Sequence, residues 1–389
     1  MNGYGAYALV GGIAAVATYL CTWVVRRISV RLHLVVKPDE RRVHDLPTPT
    51  AGGGAMFLGF LAAMAVAAFV PQFHDTFRSS DPLAIVLGAA IIFAVGLGDD
   101  LREISAPAKL SGQVFAGSVL ALLGVSMFFL QVPFAGVLVL SPDWQPLLTV
   151  VWVAGMANAV NLIDGLDGLA AGIVAIASAS FFLYGDRLSR QGFIQPDNIG
   201  VLVAIITCGI CIGFLPHNFH RARIFMGDAG AMLLGLLMAV STLEVVGQAD
   251  AEFTGKTFFF FAPIFIPFFI LGVPMLDTAF AILRRAASRK GVAAADREHL
   301  HYRLEKMGHG HRRSVLILWA WTVVLCGLVL YPAFTNKGNA VVPFLVAGLG
   351  VALYTLFHPG IRRSGAASPE PAEPTASATV IRLEERKRA

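Results

Sequence analysis

Side chains able to hold a cation or a phosphate recur in this chain wherever an apolar run ends. In Asn158-Ala-Val-Asn161-Leu-Ile-Asp164-Gly-Leu-Asp167-Gly168 the polar residues fall three apart. That spacing puts Asn158, Asn161 and Asp164 on one helix face, and Asp167 extends the row if the helix continues. Carboxylate and carboxamide oxygens are hard donors that suit Mg²⁺ or Mn²⁺. A helix cap accounts for Asp164 but not for both asparagines. Gly98-Asp99-Asp100 closes another apolar run, and two adjacent carboxylates call for a cation or a base. Lys109, nine residues after Asp100, either offsets these acids or binds phosphate; its plainer role is to snorkel from the start of the next run. Phe225-Met-Gly-Asp228-Ala-Gly230 precedes a further run. There Asp228 either caps a helix or holds a metal that in turn holds a diphosphate.

Basic motifs complement these acids. Glu298-His299-Leu-His301-Tyr302-Arg303 places imidazoles beside guanidinium groups, as diphosphate binding requires. The arginines alone fit an ordinary basic loop, and no cysteine or third histidine completes a zinc spacing. His44 lies just before Pro47-Thr-Pro49-Thr-Ala-Gly52-Gly-Gly54, a Gly-rich entry to a helix that can approach phosphate. The Walker lysine pattern is missing there, which removes support for ATP hydrolysis. His217 and Asn218, after Pro216, are placed to contact a sugar or nucleotide.

The elements that must position these groups are apolar. Of 389 residues, 56% are hydrophobic and 14% charged, with a mean hydropathy of +0.69. Soluble domains carry about 25% charged residues, so the expected fold class is an all-α integral membrane protein. Helices are preferred because each satisfies its own backbone. A span needs about 20 apolar residues. Eleven runs qualify: 4–24, 51–71, 82–98, 110–132, 147–163, 167–183, 198–216, 229–247, 258–283, 315–334 and 340–358. The N-terminus lacks a basic leader region and reads as a retained first span. Residues 1–363 form the polytopic domain, and the Pro/Ala-rich 364–389 reads as a disordered cytoplasmic tail.

Basic residues choose the sides. With the N-terminus outside and the C-terminus cytoplasmic, the inner segments hold 25 Lys/Arg and the outer segments 5. The positive-inside rule selects this orientation. It also accounts for the net charge of +5 without nucleic acid as a partner. All four motif loops then face the cytoplasm, although they played no part in choosing the sides. Cys208-Gly-Ile-Cys211 has redox spacing but lies inside an apolar run without a βαβ setting, so it reads as small membrane-embedded residues.

Taken in order, these motifs resemble those of the polyprenyl-phosphate N-acetylhexosamine-1-phosphate transferases, from Arg41 to Arg303. The resemblance implies transfer of a sugar-1-phosphate from a UDP-N-acetylhexosamine to a polyprenyl phosphate in a bacterial cytoplasmic membrane, with Mg²⁺ as cofactor. By position it implies Asp228 and Asn161 as the metal pair. Asp99, Asp100, Lys109, Asp164 and Asp167 become the catalytic set. His299, His301 and Arg303 become the diphosphate-binding loop; Asn158, His44 and Asn218 are read from their own positions as further substrate-binding residues. Arg297-Glu-His-Leu-His-Tyr-Arg303 is more similar to the N-acetylglucosamine branch. Tyr302 stands where the phospho-N-acetylmuramoyl-pentapeptide translocases typically continue a run of three histidines. That translocase is the alternative activity, and a cation-coupled transporter the alternative class. A homodimer is left open.

Overall fold

The computed structural model describes residues 3–31, 35–36, 48–132, 136–246, 309–335 and 342–357. Among these, the chain forms α1 (Gly3–Arg31), α2 (Gly52–Ala68), α3 (Asp81–Arg102), α4 (Ala106–Leu122) and α5 (Trp144–Ile163). There follow α6 (Leu169–Arg190), α7 (Ile199–Asn218), α8 (Gly227–Val246), α9 (Gly310–Thr335) and α10 (Val342–Phe357). Seven described helices are long and apolar enough to cross a membrane, and α2 and α10 are shorter apolar helices. The chain is a mostly helical integral membrane protein. The expected run 258–283 and the tail lie outside the described residues.

Helix α8 is the axis of the bundle. It packs against α2, α3, α5, α6 and α7, and its apolar side chains from Ala231 to Val240 are buried. A helix that is apolar all round belongs at the centre of such an assembly. Small residues allow the close crossings that membrane helices need. A Cβ added to Gly96 of α3 would lie 2.5 Å from the Ala229 Cα of α8. Outward, Leu345, Leu349 and Leu353 of α10 stay exposed at helical spacing, as a lipid-facing side requires. Two buried hydroxyls are satisfied within their own helices: Thr22 donates to the Thr18 carbonyl and Thr207 to the Val203 carbonyl, each at 2.7 Å.

One expected span differs. Residues 110–132 are not a continuous helix: α4 begins earlier, at Ala106, and ends at Leu122. Gly124, at φ +110°, turns the chain out of helical geometry. An antiparallel hairpin follows, β3 (Phe129–Val132) with β4 (Gly136–Val139). The β-branched and aromatic residues that read as membrane-embedded pair as strands instead. A second small ladder pairs Val35–Val36 with Thr48–Pro49.

Candidate active site

Four helix ends converge to build the site. Glu103, at φ 45°, terminates α3, and a proline in the first turn of α4 restarts the helix at once. This tight α3–α4 corner brings Asp99, on the last turn of α3, back beside Lys109 on the first turn of α4. The Lys109 ammonium lies 2.6 Å from Asp99 Oδ2 and also binds Asp228 Oδ2, on the first turn of α8. Asn161, near the end of α5, donates from Nδ2 to that same Asp228 oxygen at 3.3 Å. Residues far apart in sequence thus meet at one point, with Asp228 still 29% exposed and accessible to a ligand.

Asp100 has a different task from its neighbour. Its two carboxylate oxygens accept the backbone N–H groups of Asp228 and Ala229, at 2.8 and 3.1 Å. Asp228 is therefore not the cap of its own helix; a carboxylate from α3 caps α8. Gly227 makes the approach possible. It adopts φ +67°, and a Cβ there would fall 2.5 Å from Asp100 Oδ2. Asp99 is held by the Ile104 N–H, which donates to Oδ1 at 3.0 Å.

Behind the cluster, Gln113 and Asn158 form a reciprocal amide pair. Asn158 Nδ2 donates to Gln113 Oε1 at 2.6 Å, and Gln113 Nε2 donates back at 3.2 Å. Gln113 is buried one helical turn beyond Lys109, and Asn158 one turn before Asn161. The pair therefore fixes the distance between the two residues that grip Asp228. The i,i+4 spacing from Lys109 was the available sequence signal for Gln113. Asn158 is occupied by this brace.

The expected polar row breaks after Asp164. Helix α5 ends at Ile163, Asp164 follows as its C-cap, and Gly168 at φ +74° opens α6. Asp164 stays at the cluster. Desolvation, then the charges of Asp228, Asp100 and Asp167, push its carboxyl up to about 7. Asp167 leaves the row because the helix ends before it. It is buried, its Oδ2 accepts the Ala222 N–H at 3.0 Å, and its own N–H donates to His311 Nε2 at 3.0 Å. His220, with Nδ1 3.5 Å from Asp167 Oδ2, completes this second group. Neither histidine stands near the other or near Asp167 in sequence, so no local spacing announced them. Asn218 is buried, accepting from the Gly168 N–H and donating to the Ile224 carbonyl, each at 3.0 Å. It ties the start of α6 to the α7–α8 connection. His44, His299, His301 and Arg303 lie outside the described residues.

The donor set can be tested against a divalent metal. Asp99, Asp100, Asp164 and Asp228 stand close enough for their charges to interact, and Lys109 is the ammonium among them. Four carboxylates against one ammonium leave net negative charge, and the carboxamide of Asn161 adds a neutral oxygen. Donors of these types suit Mg²⁺ or Mn²⁺.

The glycosyl transferase family 4 pattern matches residues 82–246, which hold all of the side chains gathered around Asp228. The decaprenyl-phosphate N-acetylglucosaminephosphotransferase of Mycobacterium leprae is 40% identical over 342 residues, 85% of each chain. The chain belongs to glycosyl transferase family 4. Other family 4 relatives include the undecaprenyl-phosphate α-N-acetylglucosaminyl 1-phosphate transferase of Thermotoga maritima, 27% identical over 81% of this chain and 88% of its own. The phospho-N-acetylmuramoyl-pentapeptide-transferase of Desulforudis audaxviator is 30% identical over 82% of this chain and 96% of its own. Of the three, the N-acetylglucosaminephosphotransferase of Mycobacterium leprae has the highest identity.

Proposed function

We propose that this family 4 protein transfers N-acetylglucosamine-1-phosphate from UDP-N-acetylglucosamine to a polyprenyl phosphate, releasing UMP. The observation that carries the reading is the convergence of Lys109, Asp99, Asn161 and Asp228 at one end of the bundle. A phosphate oxygen of the acceptor attacks the phosphorus that bears the sugar. The bond from that phosphorus to the bridging oxygen breaks, and UMP leaves with the electron pair. Such transfers depend on positioning and on neutralising charge. Asp228 and Asn161 would hold Mg²⁺, with Asp99 beside them; when bound, the ion supplies positive charge to the diphosphate oxygens. Lys109 neutralises charge that builds on the oxygens in flight. Asp99 orients Lys109. A base is not required, because a phosphate monoester with a second pKa of about 6 is already largely a dianion at neutral pH.

The basic inner segments support placing this end of the bundle in the cytoplasm, where UDP-sugars are found. A transporter would carry its carboxylates near mid-membrane, whereas these stand at helix ends. The test is exchange of radiolabelled UMP in membranes supplied with UDP-N-acetylglucosamine or UDP-N-acetylmuramoyl-pentapeptide. Exchange with the former supports the proposal. Exchange confined to the latter selects the peptidoglycan reaction, and exchange with neither removes the enzyme reading.

A further inference from the structure

We propose that Asp167, His220 and His311 form a site for a transition-metal ion of the Zn²⁺ class, separate from the oxygen-rich cluster around Asp228. The three ligand atoms come from three elements: the α5–α6 turn, the α7–α8 connection and the first turn of α9. All lie within 4.8 Å of one another. His220 Nδ1 is 3.5 Å from Asp167 Oδ2, and His311 Nε2 is 3.9 Å from the same oxygen. Ligands bound tetrahedrally at about 2.1 Å from Zn²⁺ stand about 3.4 Å apart, so only small rotations are needed.

The hydrogen-bond pattern leaves one imidazole nitrogen to an ion. His220 Nδ1 is buried and makes no hydrogen bond, although it faces the carboxylate. His311 Nε2 accepts the Asp167 N–H, and an ion would take the place of that amide proton as its partner. The Ala222 N–H on Asp167 Oδ2 fixes the carboxylate from behind. Imidazole nitrogens prefer Zn²⁺, Cu²⁺ or Ni²⁺ to Mg²⁺, which keeps the two sites chemically distinct.

His220 also lines a cavity of about 880 Å³ bordered by Arg26, Arg221, Arg223 and Arg312. The cavity gives an ion its route in. The guanidinium groups oppose a bare cation, and they favour an anionic group as the fourth ligand. With the ion bound, the signature turn carrying Asp164 and Asp167 is tied to α9, so occupancy sets the mobility of that turn.

The experiment uses the purified full chain in detergent, stripped with chelator, with excess Mg²⁺ throughout. Zn²⁺ binding is followed by competition with a chromogenic chelator. One equivalent is expected per chain, weakened at least ~10-fold in both His220→Ala and His311→Ala. His311→Cys restores a ligand, so it is expected to regain binding and to give a thiolate-to-Co²⁺ charge-transfer band. A misfolded variant would show neither. The proposal is overturned if the native chain binds no Zn²⁺, if either alanine variant binds like the native chain, or if the cysteine variant lacks the Co²⁺ band.

Discussion

Lys109 bridges two carboxylates that would otherwise repel across the α3–α8 contact. Replacing it with methionine keeps the length of the side chain and removes the charge. A loss of ~10²–10³-fold in kcat is expected, the scale of removing one donor that stabilises developing charge. Steady-state UMP release checks this; a change below about threefold would detach Lys109 from the chemistry. Asp164 offers a pH readout. Its carboxyl titrates near 7 in the folded chain against an ordinary value of 3.8. Between these two values the metal-free folded state holds a proton that the unfolded chain has lost. Stability should therefore fall as pH rises from about 4 to about 7, and Asp164→Asn should flatten that slope. Thermal unfolding of the metal-free protein across this range is the measurement. A cation favours the charged carboxylate, so apparent Mg²⁺ affinity should rise as pH passes 7.

Among the elements, α4 and α5 matter most for geometry, because each contributes one grip on Asp228. The Gln113–Asn158 pair sets their spacing. Gln113→Leu removes one partner of the half-buried Asn158 carboxamide, which keeps its bond to the Ala154 carbonyl, a loss of about 1 kcal/mol. The expected result is a lower melting temperature together with a raised Mg²⁺ requirement. Exchanging the two residues, Gln113→Asn with Asn158→Gln, restores a reciprocal pair and should recover part of both. If the double variant is no better than Gln113→Leu, the pair does not set the spacing. Element boundaries also show where sequence reading stops. The Asn158–Asp164 row was legible because α5 is regular to Ile163. Asp167 could not be placed from spacing, since the chain leaves helical geometry before reaching it. In the same way, β-branched residues near 130 read as a span until strand pairing between Phe129 and Val139 is seen.

For the whole molecule, the positive-inside rule makes a testable statement of side. In a chain whose natural cysteines are replaced, Arg78→Cys should react with a membrane-impermeant maleimide in intact cells. Arg223→Cys, near the site end, should react only after permeabilisation. The reverse pattern would turn the protein over and put its site away from UDP-sugars. The bundle that carries these positions has α8 at its centre, so the N-terminal turn bearing Asp228 is held by surrounding helices rather than by a loop.

Composition and local spacing by themselves determined the membrane class and most helix positions, and they singled out Asp99, Lys109, Asn161 and Asp228, which the fold gathers at one point. Hydropathy and a three-residue period act over a few turns of one chain segment, which is why a sequence displays them. Only the tertiary structure decided that Asp100 caps α8, that Gln113 pairs with Asn158, and that His220 and His311 gather at Asp167. Those assignments depend on contacts between helix ends far apart in the chain, and the close approach of small residues such as Gly96 and Ala229 fixes which ends meet.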